Sequence, residues 1–284
     1  MDEKMILLAA IAFSWWDLDP MEVRERINSR IMAIEAETPA VNYIKDLVID
    51  KVPVRQYGNT SKNAILMIHG GAWVAGSIET HDNLARYLCK ETGLDVISVG
   101  YQNAPEGKFP RQLEEALFVL VWMKERYSKV VVVGDSAGGN MAAALCLMVR
   151  DRNGPAIATQ ILINPSLDLR CNGILERLDD SHDNQRWQAI QYVSNLNEVN
   201  HPYVSPLIAD LSNLPQALIV ISEKDEFRIE EEAYAEKLKT AGCQVDLFIH
   251  EGAGHLAGHG ARASSYAKPS LEAVKNYINH LSLN

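Results

Sequence analysis

From residue 41 onward, short apolar runs alternate along the chain with longer segments in which apolar residues recur every three or four positions. The short runs are typical of buried strands, and the longer segments are typical of amphipathic helices. Strands are predicted at residues 41–49, 51–57, 64–68, 95–99, 130–133, 159–163, 217–221 and 245–249. Helices are predicted at residues 82–91, 111–126, 137–150, 230–241 and 266–281. This alternation predicts an α/β fold, with a mostly parallel eight-stranded sheet covered by helices on both faces.

Two segments interrupt the alternation. Asp19 and Pro20 are a cap and first-turn pair, which predicts a helix that continues to about residue 37. Its apolar positions fall on one face: Val23, Ile27, Ile31 and Ile34. The second segment, residues 170–203, is polar at first and then apolar. Because ligands bind at the carboxyl edge of open α/β sheets, residues 1–40 and 170–203 are predicted to cap that edge within a single domain of 284 residues.

The strongest chemical signal is residues 134–140, which read Gly-Asp-Ser-Ala-Gly-Gly-Asn between a predicted strand and a predicted helix. The Gly-x-Ser-x-Gly spacing places Ser136 on a tight turn with its hydroxyl exposed. Gly134 and Gly138 would let the strand and the helix approach each other closely. A serine hydroxyl becomes a good nucleophile only when a base accepts its proton, and a carboxylate must orient that base. Ser136 is therefore the predicted nucleophile.

A base and an acid follow at the expected places. Asp225 comes after the predicted strand 217–221 and His255 after the strand 245–249, so both should emerge at the sheet edge that carries Ser136. The order Ser, acid, His is that of α/β-hydrolases. Glu223 is the alternative acid and is expected to support its loop. His259 is the alternative base. The spacing of His255 and His259 also resembles half a metal site, but no His-Glu-x-x-His pattern surrounds them, so no metal is expected.

Residues 69–73, His-Gly-Gly-Ala-Trp, follow the strand predicted at 64–68 and offer backbone donors for an oxyanion. The predicted donors are the N–H groups of Gly70, Gly71, Ala72 and Ala137. Ala72 is expected to keep a negative φ. Three aromatic residues near these segments are the candidates for a substrate pocket: Trp73, Trp187 and Tyr192.

These motifs resemble the hormone-sensitive lipase family of α/β-hydrolases, close to its bacterial esterases. The matching segments span residues 65–256: the loop at 69–73, Tyr-Gln-Asn-Ala-Pro-Glu at 101–106, Phe-Pro at 109–110, the serine turn at 134–140, Ser-Pro-Leu at 205–207, and the acid and base positions Asp225 and His255. The resemblance implies a cofactor-free hydrolase of short- to medium-chain acyl esters, with a Ser-His-Asp triad, an acyl-enzyme intermediate and a helical cap. Ala72 replaces a family glycine, Glu226 a proline, and Leu256 a common phenylalanine, and these departures are expected to affect substrate preference more than catalysis.

Charge and composition narrow the partners. The formal net charge of −10 would repel nucleic acid, so a small ester is the expected partner. The four cysteines contain no Cys-x-x-Cys pair, which favours reduced thiols and a cytoplasmic location. An apolar run at residues 5–13 is far shorter than the roughly 20 residues that span a bilayer, and no basic segment precedes it, so neither export nor a membrane span is expected. The oligomeric state is left open, a homodimer included.

Two alternatives use the same fold. An arylformamidase shares the His-Gly-Gly-x-Trp loop but usually carries histidine where this chain has Asp135 before the serine. A non-catalytic small-molecule receptor, like the plant gibberellin receptors that resemble this family, has lost the base. His255 argues against the receptor.

Overall fold

The structure is a computed structural model that describes residues 15–170, 184–256 and 258–281. Its strands are β1 (Ile44–Ile49), β2 (Val52–Tyr57), β3 (Asn63–Ile68), β4 (Asp95–Val99), β5 (Lys129–Asp135), β6 (Thr159–Ile163), β7 (Ala217–Ser222) and β8 (Val245–His250). They form an eight-stranded sheet in the order β1-β2-β4-β3-β5-β6-β7-β8. Within this sheet, β2 runs opposite to the other seven strands, which all run in one direction. The predicted α/β class and mostly parallel sheet are confirmed.

The described helices are α1 (Pro20–Ala33), α2 (Asp82–Thr92), α3 (Arg111–Lys124), α4 (Ala137–Asp151), α5 (Asn184–Tyr192), α6 (Arg228–Thr240) and α7 (Lys268–His280). Short 3-10 helices occur at Leu196–Asn200 and Pro206–Ile208. Helices α3, α4 and α6 pack on one face of the sheet. Helices α2 and α7 pack on the opposite face.

Alternate residues of the central strands face the two helical layers. Leu66 and Ile68 of β3 pack with α3 and α4, whereas Ile65 and Met67 pack with α2 and α7. All four side chains are at most 1% exposed. Both faces of the sheet are covered, so its parallel strands are continuous apolar runs without polar alternation.

Helix α1 begins as predicted and ends earlier. The Asp19 carboxylate accepts a hydrogen bond from the Met21 N–H at 2.8 Å, and Pro20 occupies the first helical turn. The helix stops at Ala33, and the predicted continuation to residue 37 is wrong. The Asn83 side-chain amide donates to the Glu37 carbonyl at 2.9 Å. This tertiary bond anchors an extended segment where local sequence favours helix.

The segments predicted as a cap supply α1 and α5, which contribute to a separate apolar cluster. Trp15, Val23 and Trp187 are buried there, and the Trp15 and Trp187 rings meet edge to face at 5.4 Å. The parts of the predicted cap at residues 1–14 and 171–183, including the apolar run 5–13 and Cys171, lie outside the described residues. The other three cysteines, Cys89, Cys146 and Cys243, are free thiols. Within the described ranges, no helix is long and apolar enough to cross a bilayer.

The layered core predicts a strong difference between two leucines. Leu66→Ala, in the fully buried β3, should lower the free energy of unfolding by about 2–5 kcal/mol, because it leaves a cavity between packed helices. Leu247→Ala is the matched control: Leu247 lies on the edge strand β8, is 40% exposed and should cost much less. Chemical denaturation of both variants measures the difference, and equal losses would contradict the placement of the core.

Candidate active site

Ser136 lies on the turn between β5 and α4, with φ at 52°. Its N–H donates to the Ile163 carbonyl at 2.8 Å, which ties the turn to β6. A side chain at Gly134 would collide with the Gly138 carbonyl, and one at Gly138 would collide with the Ile68 carbonyl. The glycines are therefore required by the close approach of α4 to β5 and β3, as the sequence predicts.

His255 and Asp225 meet Ser136 in one hydrogen-bonded chain. His255 Nε2 lies 3.0 Å from Ser136 Oγ, and His255 Nδ1 lies 2.9 Å from Asp225 Oδ2. With Nδ1 carrying the proton that it shares with the carboxylate, Nε2 is left to accept the proton of the serine hydroxyl. The structure thus brings together the three residues predicted as nucleophile, base and acid.

Asp225 is held by further donors. The Asn164 amide donates to Asp225 Oδ2 at 2.6 Å, and the Phe227 N–H donates to Oδ1 at 3.1 Å. Phe227 also packs its ring against that of His255, at a centroid distance of 5.3 Å. These contacts fix both the carboxylate and the imidazole, so His255 Nε2 has a defined orientation toward Ser136 Oγ.

The electrostatics favour a basic imidazole. Burial lowers the pKa of His255, but the charge and hydrogen bond of Asp225 outweigh it, and the net pKa is about 8. The raised value means that the imidazolium formed after proton transfer is stabilised by its carboxylate partner.

The rival residues lie elsewhere. Glu223 accepts a hydrogen bond from the Gly252 N–H at 2.6 Å and so supports the loop that carries His255, as expected. His259 is buried, and its Nδ1 lies 2.9 Å from Ser264 Oγ. Across residues 15–170, 184–256 and 258–281, no group of three metal-ligating side chains is present.

The predicted oxyanion donors fall into two groups. Gly71, Ala72 and Ser136 line one cavity, and Ala137 directly follows Ser136. Among the described residues, the N–H groups of Gly71, Ala72 and Ala137 have no hydrogen-bond acceptor. The prediction for Gly70 is wrong, because its N–H donates to Asp135 Oδ1 at 2.9 Å.

The expected negative φ of Ala72 is also wrong. Ala72 has φ 55° and Trp73 has φ 60°, so two consecutive residues other than glycine adopt the left-handed conformation. The turn is closed by the Gly71 carbonyl, which accepts from the N–H groups of Val74 at 3.1 Å and Ala75 at 2.7 Å. This backbone arrangement outweighs the steric preference of alanine for negative φ.

Asp135 is a site residue that the sequence reasoning did not assign a role. Its carboxylate accepts from the Gly70 N–H and lies 3.2 Å from His81 Nε2. Burial raises the pKa of Asp135, but His81 and the Gly70 N–H outweigh it, so the net pKa is below its usual range. The residue thus joins the serine turn to the start of the oxyanion loop. Its position beside Ser136 was the available signal, but nothing in the sequence names Gly70 and His81 as its partners.

A cavity of about 460 Å³ opens over Ser136 and His255. Helix α1 contributes Ile27, Arg30 and Ile31, and helix α5 contributes polar side chains. The polar side chains of α5 are Asn184, Gln185 and Gln188. Outside these two helices, the lining includes Trp15, Ile163, Asn164, Glu226, Phe227 and Leu256.

The three aromatic residues predicted for the pocket do not line this cavity. Trp73 and Tyr192 stack on each other at 4.7 Å and are buried, and Trp187 is buried against Trp15. These rings pack α5 against its neighbours, and Trp15 and Phe227 supply aromatic surface to the cavity instead.

A sequence profile described as the alpha/beta hydrolase fold matches residues 65–258. LipN, a carboxylic ester hydrolase of Mycobacterium tuberculosis, is 34% identical over 223 residues, 69% of this chain and 58% of LipN. This chain thus spans little more than half of that relative. An arylesterase of Saccharolobus solfataricus is 33% identical over 82% of this chain and 83% of its own length. An esterase structure from Pyrobaculum calidifontis has a TM-score of 0.84 and 28% identity, with both chains fully covered.

The Asp135 contacts predict a stability effect. Asp135→Ala should lower the free energy of unfolding by about 2–5 kcal/mol, because the Gly70 N–H and His81 both lose a mostly buried partner. The lowered pKa of Asp135 also predicts how this contribution to stability changes with pH. The contribution is present above the unfolded pKa of about 3.9 and is lost as pH falls through the lower folded pKa.

Denaturant titrations between pH 7 and pH 3 measure this effect. Asp246→Ala, at an exposed position on β8, is the matched control and should change little. A variant at Asp135 as stable as that control would contradict the structural role.

Proposed function

We propose that this chain, which belongs to the hormone-sensitive lipase family of α/β-hydrolases, is a carboxylesterase that hydrolyses short- to medium-chain acyl esters through an acyl-enzyme formed on Ser136. The observation that carries the proposal is the unbroken hydrogen-bonded chain from Ser136 through His255 to Asp225. Ser136 and His255 line a cavity that can admit a substrate.

In the first half-reaction, Ser136 Oγ attacks the ester carbonyl carbon while its proton passes to His255 Nε2. The carbonyl electron pair moves to the oxygen, where the N–H groups of Gly71, Ala72 and Ala137 are the proposed donors. The tetrahedral intermediate then collapses, and the alcohol leaves with the proton from His255. In the second half-reaction, water is deprotonated by His255 and attacks the acyl-enzyme, which releases the acid and restores the serine hydroxyl.

Each supporting residue has a separate task in this scheme. Asp225 holds Nδ1 of His255 and stabilises the imidazolium in both half-reactions. Asn164 and the Phe227 N–H hold Asp225. Burial excludes water from these groups, which strengthens their electrostatic effect on the charges that develop.

The cavity supports a small substrate. Its volume of about 460 Å³ lies in the lower half of the range of about 300–1,000 Å³ found for small-molecule sites. Gln188 of α5 is among the polar side chains that line this cavity. The limited volume therefore fits short and medium acyl chains better than long ones.

The alternatives fit less well. In an arylformamidase, histidine usually precedes the serine, whereas Asp135 here binds the oxyanion loop. A receptor that only binds ligand does not need a histidine within hydrogen-bond distance of the serine, yet His255 Nε2 is 3.0 Å from it. A cytoplasmic location stays a prediction, supported by free thiols at Cys89, Cys146 and Cys243.

Three alanine variants test the assignment of the triad. Ser136→Ala should lose nearly all esterase activity, because loss of a triad nucleophile typically costs about a millionfold in turnover. His255→Ala should be similarly inactive. His259→Ala is the matched control and should retain most activity, since its Nδ1 bonds Ser264 rather than the serine turn. Hydrolysis of 4-nitrophenyl acetate to octanoate by folded variants measures both activity and acyl-length preference. An active Ser136→Ala enzyme would contradict the proposal.

The pKa of His255 sets an expected pH profile. The neutral imidazole accepts the serine proton, so kcat/KM for a neutral ester should fall roughly tenfold per unit as pH drops below a midpoint of about 8. Asp225→Asn should lower that midpoint, because it removes the charge that raises the pKa of His255. A wild-type limb centred well below pH 7 would show that the Asp225 carboxylate does not have this effect.

A further inference from the structure

The backbone after the oxyanion loop is held by helix α1, which belongs to a segment predicted to cap the substrate. Ala72 and Trp73 both have positive φ, a strained conformation that persists only where surrounding contacts impose it. Most contacts within the turn are local backbone hydrogen bonds. Two side chains of α1 add bonds from outside.

Arg24 is the first of these side chains. Its Nε donates to the Val74 carbonyl at 2.6 Å, and its Nη2 donates to the Ala104 carbonyl at 2.7 Å. Glu106 accepts from both terminal nitrogens, at 2.9 Å from Nη1 and 2.6 Å from Nη2. The planar guanidinium therefore joins the turn after Ala72 to the segment 104–106, with four charge-assisted hydrogen bonds.

Asn28 lies one helical turn further along the same face of α1. Its Oδ1 accepts the Gly76 N–H at 2.8 Å, at the far end of the turn that begins at Gly71. The Gly76 carbonyl in turn accepts from the Asn103 amide at 3.0 Å. Both ends of the backbone segment from Val74 to Gly76 are thus fixed by polar side chains of α1.

Apolar packing reinforces this attachment. Val23 of α1, Val74 of the turn and Ala104 are buried in one cluster, and Ala72 and Ile27 pack against it. Helix α1 therefore shares one apolar cluster with Ala72, a proposed oxyanion donor, and with Val74, which follows it in the turn. A shift of α1 would displace the turn, because the same cluster contains both.

We propose that Arg24 and Asn28 are positioning residues that hold the N–H groups of Gly71 and Ala72 toward the oxyanion. The proposal rests on the proposed serine mechanism. Neither side chain touches the substrate cavity, so both act through the turn. A misplaced donor weakens stabilisation of the tetrahedral intermediate and leaves ground-state binding nearly unchanged.

The test separates this role from general stability. Arg24→Gln and Asn28→Leu should each lower kcat roughly 10- to 100-fold, while KM stays within about threefold, as expected for an interaction made in the transition state. Asn28→Asp keeps an acceptor for the Gly76 N–H and should recover most of the loss seen with leucine. Glu106→Gln leaves both carbonyl bonds of Arg24 possible and should cost much less than Arg24→Gln.

Arg152→Gln is the matched control. Arg152 forms a similar two-pronged pair with Glu114, at 2.8 and 2.6 Å, at the C-terminal end of α4, the end opposite the serine turn. It loses the same charge and the same kind of ion pair, so kcat should stay at the wild-type value. Thermal unfolding of each variant shows whether lost activity follows lost stability.

A second readout reports the oxyanion itself. Ser136 Oγ attacks the carbonyl carbon of an aryl trifluoromethyl ketone, and the serine proton passes to His255. The resulting adduct has an oxyanion in the donor site. Its inhibition constant should rise in Arg24→Gln and Asn28→Leu by the same factor by which kcat/KM falls. Unchanged inhibition, or an effect on KM alone, would overturn the proposal. If Arg24→Gln does not fold, the comparison of Asn28→Leu with Asn28→Asp decides.

The two proposals fail in different ways. Ester hydrolysis that persists in the Ser136→Ala variant contradicts the serine mechanism. A wild-type enzyme that depends on Ser136, while Arg24→Gln and Asn28→Leu keep full kcat, contradicts only the positioning role.

Discussion

The arrangement of the site depends on one close backbone contact, between the start of α4 and the end of β3. Gly138 lies so near the carbonyls of Ile68 and His69 that no side chain fits between them. The contact brings the Ala137 N–H, which follows the serine, near the loop that carries Gly71 and Ala72. The bond from the Gly70 N–H to Asp135 secures the same approach from the other side. Donors from distant parts of the sequence can therefore point into one cavity.

This geometry is strained, and the scaffold compensates for the strain. Ser136, Ala72 and Trp73 all adopt positive φ, and each such residue costs on the order of 1–3 kcal/mol. The central strands supply the opposing stability, because both of their faces are buried under helices. Hydrogen bonds from distant segments hold the strained turns in place: the Ile163 carbonyl of β6 accepts the Ser136 N–H, and Arg24 of α1 donates to the Val74 carbonyl. The cap segment thus has a structural connection to the oxyanion loop in addition to its place in the cavity wall.

The sequence predicted most of what depends on local pattern or on strand ends. Apolar runs located every strand of the described sheet to within a few residues, and the strand-end rule brought Ser136, Asp225 and His255 to one edge. It failed where a tertiary partner decides the outcome. Nothing near Gly70 reveals that its N–H is taken by Asp135, and an alanine at position 72 gives no sign of positive φ. Aromatic character alone also could not separate Trp15, which faces the cavity, from Trp187, which packs behind it.

Over one pH range, titration of the buried groups near His255 changes activity and stability in opposite directions. Burial raises the pKa of Glu230 to about 8, and burial also raises that of Glu231 well above its usual range. Burial thus favours the neutral form of both glutamates, whereas the Asp225 carboxylate is hydrogen-bonded to His255. The pKa of His255 is also raised, to about 8. Glu230, Glu231 and His255 therefore all bind protons more tightly in the folded state than in the unfolded state. Their contributions to stability are greatest below the unfolded pKa values and decline as pH rises toward the folded ones. The rise in pH that frees the His255 imidazole for the proposed proton transfer from Ser136 thus weakens the fold that positions it.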